Sequence, residues 1–289
     1  MNASPPQVPT EHVREDVRRA LAEDVGPGDV TAALIPAEAR ANARVISREA
    51  AVVCGRPWFD ETFAQLAEAA GETIEIEWHV HEGEPITTDQ VLCHVRGPAR
   101  LILTGERTAL NFLQLLCGTA TVTHHYATLI ADTRARILDT RKTLPGLRRA
   151  QKYAVACGGG RNHRLGLYDA ILIKENHILA AGSISAAVAT ARAASPDLPL
   201  EVEVENLGQL REALAAGAHR LLLDNMDPAA LRAAVAETAG RAELEASGGI
   251  GQESLRAVAE TGVDYISVGA ITKHIRAVDL SMRFETLSA

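Results

Sequence analysis

Aromatic residues are scarce in this chain of 289 residues, and long apolar runs are missing from it. Phe, Trp and Tyr together make up 3% of the sequence. A protein that binds single-stranded nucleic acid stacks the bases on aromatic side chains, so this composition argues against that class. No apolar run approaches the roughly 20 residues that cross a bilayer as a helix. We therefore expect neither a nucleic-acid partner nor a membrane span.

The first residues also lack the marks of a secretory signal. They read MNASPPQVPTEHVRED, with no basic start and no apolar centre. A signal peptide has a positively charged start followed by an apolar region of 7–15 residues. We therefore expect the protein to be cytoplasmic.

Cysteine is infrequent, and its spacing contains no CxxC pair. The four cysteines, Cys54, Cys93, Cys117 and Cys157, lie far apart in the sequence. This spacing predicts neither a zinc site nor a disulfide framework. Free cysteines often behave as small buried hydrophobic residues, and we expect this for all four.

An excess of acidic charge hides one basic segment. The formal net charge is -8, from 29 Lys and Arg against 37 Asp and Glu. Between Arg134 and Lys174, ten basic residues face only Asp139 and Asp169, so this segment carries +8 and the rest of the chain -16. One basic segment in an acidic protein predicts binding of a small polyanion. A solvated basic helix face is the alternative.

Two hydrophobic patterns divide the chain. Up to about residue 105, strand-like stretches alternate apolar and polar residues, as in an antiparallel sheet with one covered face. After a long helix from about Gly105 to Ile130, short strands alternate with helices, which predicts parallel strands with crossover connections. The six strand candidates in this second part are Ala135–Asp139, Ala170–Lys174, Leu200–Glu205, Arg220–Asp224, Glu243–Ser247 and Tyr265–Gly269.

Polar residues at the ends of these six strands favour a barrel over an open sheet. In an α/β barrel the carboxyl ends of all strands face one mouth, whereas an open sheet binds ligands where its strand order reverses. We therefore predict an α/β protein with a C-terminal, barrel-like domain of about six parallel strands. The predicted domains are residues 1–115 and 116–289, and the last residues are allowed to pack back on the first domain.

Three features of the basic segment are suited to binding anions. In DTRKTLPGLR, from Asp139 to Arg148, an anion would relieve the repulsion between Arg141 and Lys142. GGGRNHR, from Gly158 to Arg164, places basic residues after three glycines; a glycine loop with chance cations is the alternative. Lys174 ends an apolar strand, where it could form a Schiff base, bind an anion or serve only the structure.

Acidic residues follow on the next two strands. Glu201, Glu203 and Glu205 alternate with valines, so the three carboxylates share one face of their strand. Together with Asp224, which ends the run LLLD, they suggest a site for Mg²⁺ or for ribose hydroxyls. A structural network of ion pairs remains the alternative.

Small residues close the last two strands. The segments Ser247–Gly249 and Ser267–Ala270 are small enough to let backbone N–H groups approach a phosphate. From the residues alone, the chain is predicted to be an α/β-barrel enzyme. It would bind a phosphorylated sugar and an anionic second substrate, together with Mg²⁺.

Eight segments resemble the quinolinate phosphoribosyltransferase family, and they cover the chain almost from end to end. They are EDVGPGDVT (Glu23–Thr31), ERTALNFLQ (Glu106–Gln114), DTRKTLPGLR (Asp139–Arg148), KYAVACGGGRNHRLGLYDAILIKENH (Lys152–His177), EVEVE (Glu201–Glu205), LLLDNM (Leu221–Met226), EASGGI (Glu245–Ile250) and GVDYISVGAIT (Gly262–Thr272). One departure is Cys117-Gly118-Thr119, where the family usually has Ser-Gly-Ile.

This resemblance implies a fold, a reaction and a homodimer. The fold is an N-terminal open sandwich followed by a barrel-like α/β domain. The reaction joins quinolinate to phosphoribosyl pyrophosphate with Mg²⁺, gives nicotinate mononucleotide, CO2 and pyrophosphate, and belongs to NAD biosynthesis. The two chains of the homodimer share their active sites, with Arg107 reaching into the site of the partner.

The resemblance also implies roles for individual residues. Those implied to hold the pyridine dicarboxylate are Arg107, Arg141, His163, Arg164 and Lys174. Those implied to hold the 5′-phosphate are Ser247, Gly248, Gly249, Gly269 and Ala270. Thr140 and Val268 are included among the substrate-binding residues. Lys142 is placed near the pyrophosphate and Glu203 and Asp224 near Mg²⁺ and the ribose hydroxyls, and these three are the expected catalytic residues.

Three other functions remain open at this point. A related phosphoribosyltransferase could act on nicotinate or another anionic ring without decarboxylation. A barrel aldolase could use Lys174 to form a Schiff base. A phosphate-binding sensor without catalytic activity would have no need of the carboxylates of Glu203 and Asp224.

Overall fold

The computed structural model describes residues 8 to 288, which form two compact units. The first unit contains the chain up to His124, then Leu144–Gly159, and then the chain from His274 onward. The second unit contains His125–Thr143 and Gly160–Lys273. Each unit is therefore built from pieces that are separated in the sequence.

The helices and strands follow one another in two patterns. The helices are α1 (Thr10–Asp24), α2 (Arg56–Ala70), α3 (Ala99–Leu129), α4 (Arg148–Cys157), α5 (Glu175–Ala181), α6 (Ile184–Ala194), α7 (Leu207–Ala215), α8 (Pro228–Thr238), α9 (Gln252–Ala259) and α10 (Ala270–Lys273). The strands are β1 (Arg40–Ser47), β2 (Ala51–Val52), β3 (Glu75–Trp78), β4 (Pro85–Ile86), β5 (Val91–Pro98), β6 (Arg136–Leu138), β7 (Ile171–Ile173), β8 (Leu200–Val204), β9 (Arg220–Asp224), β10 (Glu243–Ser247), β11 (Tyr265–Ser267) and β12 (Leu280–Ser288).

The first unit is built on an antiparallel sheet with the strand order β12-β1-β5-β3. Strand β12 pairs with β1 along its whole length, from the pair Arg40 and Ser288 to the pair Ser47 and Leu280. Buried and more exposed residues alternate over much of β1, because successive side chains point to opposite faces of a sheet. The buried face packs against apolar residues of α2 and α3.

A second apolar cluster in the first unit is formed by helices. On α1, Val13, Val17 and Leu21 recur at helical spacing and are buried. They pack in one cluster with Trp58 of α2 and Ala150 of α4, among other buried residues. Helix α4 therefore belongs to the first unit, although it lies between β6 and β7 in the sequence.

The second unit is built on a parallel sheet with the strand order β6-β11-β10-β9-β8-β7. A single parallel bridge joins Leu138 of β6 to Arg161 and adds an extended segment at that edge. Three of the helices that cover this sheet begin with a side-chain cap, because Ser183, Asn206 and Asp227 each accept a backbone N–H of the first turn. The predicted α/β class, with about six parallel strands in the C-terminal region, is confirmed.

Among residues 8–288, no helix combines the length and apolar character that crossing a bilayer demands.

Candidate active site

The loop after β6 and the turn after β11 meet at the carboxyl end of the parallel sheet. Thr140 Oγ1 accepts the N–H of Lys142 at 3.0 Å, and Thr272 Oγ1 donates to the Lys142 carbonyl at 2.8 Å. A methyl group placed on Gly269 would lie 3.0 Å from Cδ of Lys142. The Lys142 side chain therefore passes directly over Gly269, and the structure brings these two predicted site residues together.

Lys174 and Glu203 also come together at this end of the sheet. Lys174 follows β7 and is the N-cap residue of α5. Its ammonium group forms an ion pair with Glu203 of β8, whose side chain is 14% exposed. An ammonium held by a carboxylate has no free electron pair, so it is poorly prepared to form a Schiff base.

The ends of β9 and β10 are joined through Asn225, a residue that sequence reasoning missed. Its side-chain amide donates to Asp224 at 2.8 Å, and its backbone N–H donates to the Ser247 carbonyl at 2.9 Å. Asn225 has a φ of 53°, and a methyl group on Gly248 would lie 2.2 Å from its Oδ1. The sequence signal for this residue was the Asn that follows LLLD, because Asn adopts a left-handed backbone conformation more readily than most residues do.

Two turns of small residues lie next to these groups. Gly248 and Gly249 have φ values of 102° and 60°, a conformation that glycine adopts readily. Because neither residue has a side chain, their backbone is accessible just after the end of β10. Gly269 lies between β11 and α10, and Ala270 is the first residue of α10. Val268 between them and β11 is buried, and its N–H donates to the Leu138 carbonyl at 2.9 Å, so this N–H is committed to the sheet.

Glu203 and Asp224 have the chemistry that Mg²⁺ requires. In the register of β8 and β9, Glu203 is opposite Leu222, two residues before Asp224, so both carboxylates share one face of the sheet. Mg²⁺ prefers oxygen ligands and is commonly held by one or two carboxylates with waters and substrate phosphates. The two residues fit such an ion, which would compete with Lys174 for Glu203.

His163 lies in a buried ionic network with Glu201, which was expected among the Mg²⁺ or ribose carboxylates, and with Glu245 and Arg220, which sequence reasoning did not assign to the site. Its Nε2 is 2.9 Å from Glu201 and 3.6 Å from Glu245. Arg220 binds both of these carboxylates, at 3.2 Å and 2.9 Å. The sequence pattern could have indicated Arg220, because a basic residue at the start of an apolar strand needs acidic partners.

The electrostatics of this network follow from its burial. Burial opposes the charged form of His163, but the hydrogen bond to Glu201 and the charges of Glu201 and Glu245 raise the pKa of the imidazole. Burial together with the charge of Glu201 raises the pKa of Glu245 to about 7. The pKa of Glu201 is lowered instead, because the hydrogen bond and the charge of His163 outweigh its burial.

A cavity of about 760 Å³ opens at the amino ends of β7, β8, β9 and β10 and reaches this network. His163 and Arg164 line it together with Glu201 and Arg220. Burial and the nearby charge of Arg141 lower the pKa of Arg164, so the guanidinium groups of Arg141 and Arg164 repel each other. An anion between them would relieve that repulsion.

Arg107 lies on α3, in the first unit, and is exposed. The structure therefore assigns it to a different unit from the other predicted site residues, all of which lie in the second unit.

Two models of one protein family match consecutive stretches of this chain. A family model described as the N-terminal domain of quinolinate phosphoribosyl transferase matches residues 29–117, and the model of its C-terminal domain matches residues 119–283. A probable nicotinate-nucleotide pyrophosphorylase (carboxylating) of Bacillus subtilis is 42% identical over 261 residues, which are 90% of this chain and 89% of that protein.

Two further comparisons agree with this match. A nicotinate-nucleotide pyrophosphorylase (carboxylating) of Mycobacterium leprae is 43% identical over 275 residues, 93% of this chain and 96% of that protein. A solved structure of the nicotinate-nucleotide pyrophosphorylase from Francisella tularensis has a TM-score of 0.93 and 45% identity, and the match covers 99% of this chain and all of that one. The chain therefore belongs to the quinolinate phosphoribosyltransferase family.

Proposed function

We propose that this protein transfers the phosphoribosyl group of phosphoribosyl pyrophosphate to quinolinate and removes one carboxylate, yielding nicotinate mononucleotide, CO2 and pyrophosphate. The reaction is a step of NAD biosynthesis. The observation that carries the proposal is that relatives named for this reaction match the chain over nine-tenths of its length at about 40% identity. The residues at the carboxyl end of the parallel sheet support it.

The 5′-phosphate is assigned to the two turns of small residues. The left-handed glycines Gly248 and Gly249 and the turn at Gly269 and Ala270 offer backbone close to the open end of the sheet. Backbone N–H groups in such turns bind phosphate without competing side chains. Ser247 adds a hydroxyl directly opposite Asp224 in the strand register.

Glu203 and Asp224 are assigned to Mg²⁺ and to the ribose hydroxyls. Bound Mg²⁺ would offset negative charge on the pyrophosphate. The carboxylates themselves stabilise the positive charge that develops at the ribose C1 carbon as the pyrophosphate departs. Lys142, over Gly269, is placed to stabilise the negative charge on the leaving pyrophosphate. The protein needs no covalent nucleophile for this transfer.

The basic residues Arg141, Arg164 and Lys174 are assigned to the two carboxylates of quinolinate. The repulsion between Arg141 and Arg164 supports an anion site between them. The pyridine nitrogen forms a bond to C1 of the ribose as the bond from C1 to pyrophosphate breaks. The resulting pyridinium accepts the electron pair of the adjacent C–C bond when that carboxylate leaves as CO2, and a proton then replaces it on the ring.

His163 is assigned to quinolinate together with its neighbour Arg164, although the cavity that both residues line opens at the amino ends of the strands, and Lys174 lies at the carboxyl end of β7. His163 lines the cavity beside Arg164, and the network of Glu201, Arg220 and Glu245 fixes its ring. Thr140 holds the backbone at Lys142. Val268, whose N–H is committed to the sheet, would contact substrate only through its remaining backbone.

The active enzyme is proposed to be a homodimer in which Arg107 of one chain completes the site of the other. The exposed position of Arg107 in the first unit supports this assignment, because a guanidinium in solvent is available to clamp a carboxylate of a partner-bound substrate. A cytoplasmic location is proposed as well. All four cysteines are free thiols, as a reducing compartment maintains them.

A direct assay separates this function from its alternatives. Purified protein is incubated with quinolinate, phosphoribosyl pyrophosphate and Mg²⁺, and in parallel with nicotinate in place of quinolinate. We expect nicotinate mononucleotide and an equal amount of CO2 from quinolinate, and little product from nicotinate. Product from nicotinate without CO2 release would support the non-decarboxylating alternative. Trapping of a carbonyl substrate on Lys174 by borohydride would support the aldolase.

A further inference from the structure

Three of the four cysteines meet in the first unit, whereas Lys142, Glu203 and Asp224, the residues assigned to catalysis, belong to the second unit. Cys54 precedes α2, Cys117 lies on α3, and Cys157 is the last residue of α4. Glu82, from the connection between β3 and β4, completes the group. The sequence spacing indicated no metal site, because these four segments become neighbours only through the fold.

The group has the dimensions of a metal site. The Sγ atoms of Cys54 and Cys157 and one carboxylate oxygen of Glu82 lie within 4.8 Å of one another. Cys157 Sγ is 3.6 Å from Glu82 Oε2. With Zn–S bonds of about 2.3 Å and Zn–O bonds of about 2.0–2.2 Å, the ligand atoms of a tetrahedral site are roughly 3.5–3.8 Å apart. Small side-chain movements would therefore close the three atoms around one ion.

The Glu82 carboxylate is held in place by the start of α2. Its Oε1 accepts the backbone N–H of Gly55 at 3.0 Å and that of Arg56 at 2.7 Å. These bonds fix the carboxylate while Oε2 faces the thiol of Cys157. When a cation binds, a ligand that its own hydrogen bonds already orient loses less conformational entropy.

Two neighbouring side chains, Tyr153 and Cys117, contact this group. Tyr153 hydrogen-bonds with Glu82 and with Cys157, so its hydroxyl is beside the same space. The Cys117 thiol instead contacts the backbone of Cys54, accepting its N–H at 3.3 Å and donating to its carbonyl at 3.4 Å. Cys117 is thus a positioning residue, and the two thiols that remain are those of Cys54 and Cys157.

The charge of the group also favours a cation. Thiolate sulfur is a soft, anionic ligand that selects metals such as zinc, and a carboxylate oxygen is a common third ligand in such sites. A divalent cation offsets the charge of two thiolates and one carboxylate, and the thiol protons leave to solvent when it binds. We propose that Cys54, Cys157 and Glu82, with Tyr153 beside them, form a binding site for a thiophilic divalent cation of the zinc class.

Cobalt(II) tests this proposal on the full-length protein. The protein is stripped with a chelator, kept reduced, and titrated with Co²⁺ in the presence of excess Mg²⁺. We expect a thiolate-to-cobalt charge-transfer band that saturates at one ion per chain and is displaced by Zn²⁺. The carboxylates of Glu203 and Asp224 cannot produce this band because it requires sulfur ligands.

Matched cysteine variants locate the site. In Cys157→Ser we expect loss of the band and Zn²⁺ affinity weakened by more than the roughly 10–100-fold that loss of an outer-shell partner costs. Cys93→Ser changes a buried cysteine of β5 that lies in the other apolar cluster and should bind Co²⁺ as the wild type does. Glu82→Gln provides a second ligand variant, and circular dichroism confirms that each variant is folded.

Several results would overturn the proposal. The absence of a charge-transfer band in the wild type would do so, and so would a band of equal strength in Cys157→Ser. A band lost equally in Cys93→Ser would also contradict the assignment. Quantitative formation of a disulfide between Cys54 and Cys157 in place of metal binding, under the reducing conditions of the titration, would be a further contradiction.

Discussion

Lys142 lies where the loop after β6 meets the turn after β11, and we predict that its side chain is needed for turnover. Lys142→Ala should lower kcat by about 10²–10³-fold, the usual cost of removing one group that stabilises developing charge. Because the Lys142 side chain is exposed, the fold should be retained, which circular dichroism checks. Arg232→Ala, which removes an exposed charge from α8, should leave kcat unchanged. Near wild-type turnover of folded Lys142→Ala would refute the role.

Asp224 permits a prediction about binding. Asp224→Asn should weaken the affinity for phosphoribosyl pyrophosphate more than the affinity for quinolinate, because the carboxylate is assigned to Mg²⁺ and ribose. Isothermal titration calorimetry with each ligand measures the two changes separately. Glu237→Gln removes a half-buried carboxylate of α8 that pairs with Arg211 of α7 and should change neither affinity. Equal losses for the two ligands would contradict the division of the site.

The glycines after β10 form a matched pair. A methyl group on Gly248 would lie 2.2 Å from Asn225, whereas nothing lies within 4 Å of one on Gly249. Both have positive φ, which costs an alanine about 1–2 kcal/mol. Gly248→Ala should therefore lower the free energy of unfolding by clearly more than Gly249→Ala, as measured by denaturant titration. Similar losses in both variants would show that Asn225 moves away easily.

The position of His163 could not be predicted from the sequence, although the residue itself was identified. Its partners come from β8 and β10, and Arg220 from β9 binds both. Which side chains meet depends on the register of three strands, and no local pattern specifies that register. By contrast, Asp224 and Ser247 were predictable because each ends its own strand.

At the scale of elements, the buried network across β8, β9 and β10 should make stability depend on pH. The pKa of Glu245 rises from 4.5 to about 7 in the folded protein. The folded state therefore keeps a proton that the unfolded chain has lost, so the stability that Glu245 contributes is complete below about pH 4.5 and is lost as the pH rises through about 7.

A neutral variant isolates this contribution. Between about pH 4.5 and about pH 7, the free energy of unfolding of Glu245→Gln should rise relative to that of the wild type, measured in denaturant at each pH. Glu243→Gln changes an exposed carboxylate on the same strand and should give a curve parallel to the wild type. If the Glu245→Gln curve were parallel as well, Glu245 would titrate as it does in the unfolded chain.

The second unit could be read from the sequence more completely than the first. Its six strands were predictable to within two residues at either end, because short apolar runs with polar ends alternate there with helices. In the first unit, β4 has only two residues and depends on pairing with β2. The place of α4 was not predictable either, since its sequence position is that of a crossover helix, while Ala150, Tyr153 and Ala154 pack with α1.

At the scale of the whole molecule, the proposed shared sites predict complementation between inactive variants. Arg107→Ala and Lys174→Ala should each be nearly inactive as homodimers. In a mixed dimer, one site would carry both lesions and the other neither, so activity should return. Purified mixed dimers provide the measurement, with both variants shown to fold and associate.

A second mixture provides the control. Lys142→Ala and Lys174→Ala change residues of the same unit, so each site of their mixed dimer keeps one lesion and no activity should return. Equal behaviour of the two mixtures, with no recovery in either, would refute a site shared between chains. Recovery in both mixtures would mean that Lys142 and Lys174 serve one site from different chains, and it would also contradict the assignment.

The pairing of β12 with β1 has a consequence for the order in which the chain folds during synthesis. The ribosome makes β1 early, but its partner Leu280–Ser288 is made only after the entire second unit. At translation rates of about 5–20 residues per second, that edge of β1 stays without its partner strand for a time on the order of ten seconds. An open strand edge is a template for pairing with other chains, so nascent molecules are most prone to associate wrongly in this interval, and a chaperone that covers β1 would protect them.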